Sequence, residues 1–225
     1  MKAVLIVPAL NEAAVVGDLV RRTPRDVVAE VIVVDNGSTD ATAVVAREAG
    51  ARVVTEPRRG YGAACFAGVT ALPADAGVAV FMDADGSQRP EEISRVLDPV
   101  LVGRADLVLG ARTLEGRHPL HAAAGTRLVA RFVAWRCQVP ITDFGPLRAI
   151  RVDLLRRLDM RDRASGWPVE MVVRAAALGA RILEVPVSHA PRQAGRSKVS
   201  GTVLGTVRAG YAFLSTALRA PRKAP

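Results

Sequence analysis

Short apolar runs alternate with amphipathic stretches through the first half of the chain. Ala3–Val7 is apolar throughout and stops at Pro8, the pattern of a buried strand. Asn11 stands where a helix cap stands, and Val15, Val16, Leu19 and Val20 then repeat along one helix face. Glu30–Val34 is a second strand, Ala41–Ala49 a helix closed by Gly50, Arg52–Thr55 a third strand and Gly60–Ala71 a helix. Val78–Met82, Pro90–Val102 and Ala105–Leu109 continue as strand, helix and strand. Strands separated by helices need crossover connections, so the order predicts an α/β class with a mostly parallel, covered sheet. Ligands of such sheets bind beyond the carboxyl ends of the strands. Those ends carry Pro8, Asp35, Glu56, Asp83 and Gly110.

The second half changes character. Residues 113–135 read as a loop followed by a helix, 143–151 as a turn entering a strand, and Val152–Leu158 as a short helix. Pro168–Leu178 reads as a helix closed by Gly179, and Arg181–Val185 as a strand ending at Pro186. Residues 190–201 hold Arg192, Gly195, Arg196, Ser197, Lys198 and Gly201, the composition of a mobile basic loop. Residues 202–218 read as an amphipathic helix, expected to pack on the protein's own core or to lie on an anionic membrane face. No repeat or linker interrupts the chain, and its 225 residues read as one domain.

Composition narrows the class. At 50% hydrophobic and 24% charged, the chain is expected to fold rather than stay disordered. Lys+Arg is 31 against Asp+Glu 22, a net +9, and all the cations except Lys2, Lys198 and Lys223 are arginine. Arginine binds phosphate in a bidentate fork, so a nucleotide, a lipid phosphate or an anionic membrane surface suits this balance. A GC-rich genome accounts for part of the same bias. With only 4% aromatics there is little for base stacking, which argues against nucleic acid. Cys65 and Cys137 make neither a disulfide framework nor a zinc cluster, and fit a reducing compartment. No stretch offers the ~20 apolar residues of a bilayer span, and the N-terminal run is too short for a signal peptide. The expectation is a cytoplasmic protein, soluble or peripheral on the inner membrane face.

Candidate chemistry begins with Asp83-Ala84-Asp85, two carboxylates two residues apart just after an apolar strand. Hard oxygen ligands of this kind suit Mg2+ or Mn2+, with a diphosphate supplying further oxygens; turn-forming aspartates are the plainer alternative. Asp35 ends another strand and Pro8-Ala9-Leu10-Asn11-Glu12 a third, where a carboxylate accepts from a base N–H or a ribose hydroxyl. His118, His121 and His189 have no metal-ligand spacing, and Ser38 reads as a helix cap.

Three segments, Pro8–Glu12, Asp35-Asn36-Gly37-Ser38-Thr39-Asp40 and Met82-Asp83-Ala84-Asp85-Gly86, resemble the opening motifs of family 2 glycosyltransferases, in order and at normal spacing. Asp143–Arg151, Gly166–Met171, Glu184-Val185-Pro186-Val187, Arg192 and Gly195–Lys198 resemble its polyprenyl-phosphate branch, which contains the dolichyl-phosphate mannose synthases. The resemblance implies a GT-A fold, Rossmann-like, with a nucleotide-sugar half over 1–112 and an acceptor half over 113–225. It implies inverting transfer of a hexose from a nucleotide sugar, of the UDP-glucose or GDP-mannose type, to an acceptor that is foremost a polyprenyl phosphate. A soluble hydroxyl acceptor, or nucleotide-sugar binding without turnover, are the alternatives. By position, Pro8, Ala9, Asn11, Glu12, Asp35, Gly62, Asp83 and Ala84 surround the donor, and Asp83 and Asp85 hold the ion. Arg112 lies near a donor or acceptor phosphate, while Arg192, Arg196 and Lys198 meet the acceptor phosphate. Asp143 and Glu170 are the candidate bases for a hydroxyl acceptor. Two departures stand out. Asn36 replaces a second acidic residue, which is expected to alter base contacts, and Ser87 replaces a glutamine of the metal shell, with Gln88 next to it.

Overall fold

The computed structural model describes residues 1–115 and 120–193. The order is β1 (Lys2–Ala9), α1 (Ala13–Arg22), β2 (Glu30–Asp35), α2 (Thr42–Glu48), β3 (Arg52–Thr55), α3 (Tyr61–Thr70) and β4 (Ala76–Phe81). A 3-10 turn at Pro90–Glu92 leads into α4 (Ile93–Leu101), followed by β5 (Leu107–Leu114), α5 (Leu120–Cys137) and β6 (Arg148–Arg151). Then come α6 (Val152–Arg157), α7 (Trp167–Ala177) and β7 (Ile182–His189). The strands form one seven-stranded sheet in the order β3-β2-β1-β4-β6-β5-β7. All neighbours run parallel except β6, which lies antiparallel between β4 and β5. A strand from the second half of the chain is thus wedged between two from the first.

Alternation along each strand divides the core into two layers. Val4, Ile6, Ile32, Phe81 and Leu109 point into the layer covered by α3, α5 and α7. Leu5, Val7, Val31, Val33 and Val80 point into the layer covered by α1, α2 and α4. Both cysteines are buried and unbridged. No helix among the described residues is long and apolar enough to cross a membrane.

Two prolines expected to end strands sit inside them, for different reasons. In β1, Ile6 O accepts from Met82 N on the β4 side, while Ala9 O accepts from Asn36 N on the β2 side. Pro8 shares the parity of Ile6, so its missing N–H faces β4, whose pairing has already ended at Ile6–Phe81. Pro186 lies in β7, an edge strand, where a missing donor costs no ladder bond on the open side. Pairing with β7 from Leu107–Ile182 to Leu114–His189 also carries β5 past its expected end at Leu109.

The start of β7 is pinned to β5 by Asp106. Its carboxylate accepts from Arg181 N at 2.9 Å, Nε at 3.0 Å and Nη2 at 2.8 Å. The hydrogen bonds from the Arg181 side chain outweigh partial burial and hold Asp106 down at about 2. A depressed carboxylate stabilises the fold fully above its ordinary value of 3.8, and that contribution is lost as pH falls toward 2. Arg181 is more than half exposed, so screening limits the charge to about 1 kcal/mol. Asp106→Asn is therefore expected to lower Tm by about 2–4 °C at pH 7. In thermal scans the difference from the parent should close as pH drops below about 4.

Candidate active site

The loops at the carboxyl edge are laced together by the protein's own hydrogen bonds. Asn11, in a left-handed conformation at φ 54°, accepts from Thr39 N through Oδ1 at 2.8 Å and donates its own N–H to Ser38 Oγ at 3.0 Å. It does not cap α1. The orphan N–H groups at that helix start are met from the next loop, with Glu12 N donating to Thr42 Oγ1 at 2.8 Å and Ala13 N to an Asp40 oxygen at 3.2 Å. Asp40 also accepts from the Thr42 hydroxyl and N–H. Asp35 Oδ1 accepts from Ser38 N at 3.1 Å, which fixes the turn after β2. Pro8 and Ala9 end β1 beside these contacts.

Asn36 does something different from the ligand contact expected of it. It is buried, and its amide donates to Glu56 O at 2.9 Å and Arg58 O at 2.7 Å while its oxygen accepts from Gly60 N at 2.8 Å. It therefore staples the turn before α3 to the turn after β2. Gly62 also departs from expectation. A Cβ there would collide with the Asp162 carbonyl, and Gly62 N donates to Ala164 O at 2.8 Å. The absent side chain makes room for the 162–164 backbone rather than for a ligand.

Asp83 and Asp85 follow β4 in a turn held from within. Ser87 donates to Asp85 Oδ1 through N at 3.0 Å and Oγ at 2.6 Å. Gln88 Oε1 accepts from Asp83 N at 3.2 Å, and its Nε2 donates to Ser87 Oγ at 3.2 Å. Both side chains suspected of completing a metal shell are thus buried supports of the turn. Asp83 Oδ1 is sealed from solvent with no partner in the protein. Burial, and next the Asp85 charge, raise the Asp83 carboxyl to about 6, against the pull of Arg148, Tyr61 and Arg112. An orphaned, buried carboxylate oxygen beside a second carboxylate is what a divalent cation fits.

Arginines answer these carboxylates. Arg112, on β5, donates to Asp143 from N at 3.0 Å, Nε at 2.7 Å and Nη2 at 2.7 Å. Burial works against both charges of this pair, and their mutual contact outweighs it: Asp143 lies below the usual carboxylate range and Arg112 above its ordinary value. Gly145 makes the approach possible, since a Cβ there would run into the Gly110 carbonyl oxygen. Arg192, just past β7, donates from Nη1 to Glu12 Oε1 at 2.6 Å and sets Nη2 3.3 Å from Asp85 Oδ2. Arg196 and Lys198, with the 202–218 segment, lie outside the described residues.

Glu170 stands apart from this group. In the first turn of α7 it accepts from Arg161 N, from Asp162 N at 2.7 Å and from Arg174 Nε at 2.7 Å. It ties down the 161–164 segment that lies against Gly62. Sequence reasoning missed Arg148. It is 1% exposed, paired in register with Phe81 and Leu109, with Nη1 unpartnered beneath the Asp83 turn. An arginine in an apolar strand gives no signal of its depth.

A mixed sheet that gathers carboxylates at the ends of β1, β2 and β4 and sets arginines against them is the GT-A glycosyltransferase fold. The chain matches Glycosyl transferase family 2 over residues 4–158 and belongs to that family. An uncharacterized glycosyltransferase of Mycobacterium tuberculosis is 41% identical, over 90% of this chain and 92% of its own. An undecaprenyl-phosphate mannosyltransferase of Micrococcus luteus is 33% identical, over 91% and 90%. Among solved structures, the glucosyl-3-phosphoglycerate synthase of M. tuberculosis with Mn2+, UDP-glucose and phosphoglyceric acid superposes with a TM-score of 0.77. That match spans 96% of this chain and 79% of the other at 22% identity, and is a likeness of fold.

The Asn36 staple makes a sharp expectation. An aspartate there turns two donor contacts into oxygen–oxygen repulsions. Asn36→Asp is expected to cost about 2–3 kcal/mol of stability. It should also weaken UDP or GDP binding, both read by calorimetry on the folded fraction.

Proposed function

We propose that this protein transfers a hexose, with inversion, from a nucleotide sugar to a polyprenyl phosphate. The donor side rests on family membership and on the Asp83–Asp85 turn. Asp83 and Asp85 would hold Mg2+ or Mn2+, which supplies positive charge against a leaving diphosphate. Pro8, Ala9, Asn11, Glu12 and Asp35 would surround the nucleoside, in a wall that the loop lacing holds rigid.

The acceptor side rests on one observation above all: both candidate bases are engaged. Asp143 is clamped by Arg112 and kept a weak base, and Glu170 receives two backbone N–H groups and an arginine. A hydroxyl acceptor needs a positioned base, whereas a phosphate monoester, with a second pKa near 6, is largely ionised at neutral pH. With both candidate bases among the described residues engaged, a phosphate acceptor is favoured. The Micrococcus relative named for undecaprenyl phosphate supports the same reading. Asp143 and Glu170 then become positioning residues, and Arg112, anchored by Asp143, faces a phosphate. Arg192 is the described member of the basic set that would meet the acceptor phosphate.

The decisive experiment offers labelled UDP- and GDP-hexoses with Mn2+ and a polyprenyl phosphate. Label is expected in the organic-extractable product, and Asp85→Ala should cut turnover by about 10³-fold. Label in a water-soluble product instead would point to a soluble acceptor. Donor binding without any transfer or hydrolysis would leave a binding module.

Glu170→Gln separates base from support. Loss of a general base costs about 10²–10⁴-fold. Here kcat is expected to fall less than about tenfold while Tm drops, as loss of the Arg174 pair and weakened backbone contacts require.

A further inference from the structure

Arg192 occupies Asp85, one of the two carboxylates proposed for the ion, and bridges it to Glu12. Its Nη1 lies 2.6 Å from Glu12 Oε1 and its Nη2 3.3 Å from Asp85 Oδ2, with Glu12 nearly sealed from solvent. The backbone around it is docked on the same turn. Ala190 N donates to Ser87 O at 2.8 Å and Gln193 N to Asp85 O at 3.1 Å. The Gln193 side chain lies against Gly86, closely enough that a Cβ on that glycine would meet it. Residues 190–193 thus form a strap across the Asp83–Asp85 turn, fastened at its centre by a guanidinium.

Clustered carboxylates repel one another and need positive charge among them. Arg192 supplies it. We propose that Arg192 is a built-in counter-cation which a divalent ion must displace from Asp85, so that loading the metal releases the 190–193 strap. The same arginine cannot serve Asp85 and an incoming acceptor phosphate at once. Metal loading on the donor side then becomes the condition for Arg192 to turn to the acceptor, an order of binding written into one side chain. The coupling is reciprocal: whatever holds Arg192 elsewhere strengthens metal binding by the same factor. This inference rests on the reading of Asp83 and Asp85 as the metal pair.

Two measurements on the full chain test it, with Mn2+ alone as the probe. The first is Mn2+ affinity by electron paramagnetic resonance. Arg192→Gln removes the competing cation and is expected to bind Mn2+ about tenfold more tightly than the parent. The second detects release, which simple loss of a nearby charge does not mimic. Trypsin must take the arginine side chain into its own pocket, so cleavage after Arg192 in the parent protein is slow while the guanidinium is paired. Saturating Mn2+ should speed that cut at least threefold relative to cuts elsewhere in the chain. Unchanged affinity in Arg192→Gln, or Mn2+ that leaves or slows the Arg192 cut, overturns the strap. If neither protein binds Mn2+, the metal reading of the Asp83–Asp85 pair fails, and this proposal with it.

Discussion

Like charges crowded at one edge of a sheet are the constraint from which the rest of this site follows. Glu12, Asp83 and Asp85 come from the ends of two strands that adjoin in the sheet, and burial raises the cost of each charge. The fold answers with arginines reaching in from later in the chain. Arg192 pairs with Glu12 and Asp85, and Arg148 lies under the Asp83 turn. Arg112 acts on Asp83 while bound to Asp143. These cations belong to β5, β6 and the segment after β7, so the carboxylates at the ends of β1 and β4 are met by arginines from later in the chain. The antiparallel β6 strand is the structural means. Wedged between β4 and β5, it puts Arg148 in register with Phe81, two residues from Asp83.

Arginine suits this work better than lysine. Arg112 uses its fork and its own backbone N–H on a single carboxylate, and Arg192 divides its two terminal nitrogens between two. A lysine ammonium is a point charge and cannot span Glu12 and Asp85 with fixed geometry. The arginine-rich composition, which read at first as a general affinity for phosphate, thus has a nearer use in balancing the protein's own acids.

Much of this was legible in the sequence where a rule is local. The apolar runs of β1, β2 and β4, the amphipathic α1 and the strand-end positions of Asp35, Asp83 and Asp85 follow from period and punctuation. What escaped was long-range. Asn11 has every local mark of a helix cap, yet α1 is capped by Thr42 and Asp40, about thirty residues on. Pro186 reads as a strand end because a sequence does not say which strand lies at the sheet edge. Asn36 and Gly62 sit in motifs that suggest a ligand, and their partners prove to be the protein's own backbone at 56–60 and 162–164. In each case the residue type was informative and its partner was not, because the partner is chosen by tertiary packing.

The supports explain why the site can be both crowded and exact in position. Asp85 is held by Ser87, the Asp83 N–H by Gln88, Asp143 by Phe144 N and Glu184, and the 161–164 segment by Glu170. Glu184 accepts from Thr142 N and Asp143 N at 3.0 and 2.9 Å, so β7 holds the loop that in turn holds Arg112. Such chains of paired polar contacts fix the geometry of the turns they join. Asp83 Oδ1 stands without a protein partner at the centre of the site, as does Arg148 Nη1 below it, while the Ser87–Gln88 turn is paired within itself. A ligand that satisfies this oxygen need not rearrange the Ser87–Gln88 turn. On the proposal above it would displace the guanidinium of Arg192 next door, whose 3.3 Å contact to Asp85 is longer than its 2.6 Å contact to Glu12. Rigidity is thus concentrated in the turns that carry the strand-end carboxylates, and the Arg192–Asp85 pair is the described contact that the proposed metal ion would exchange.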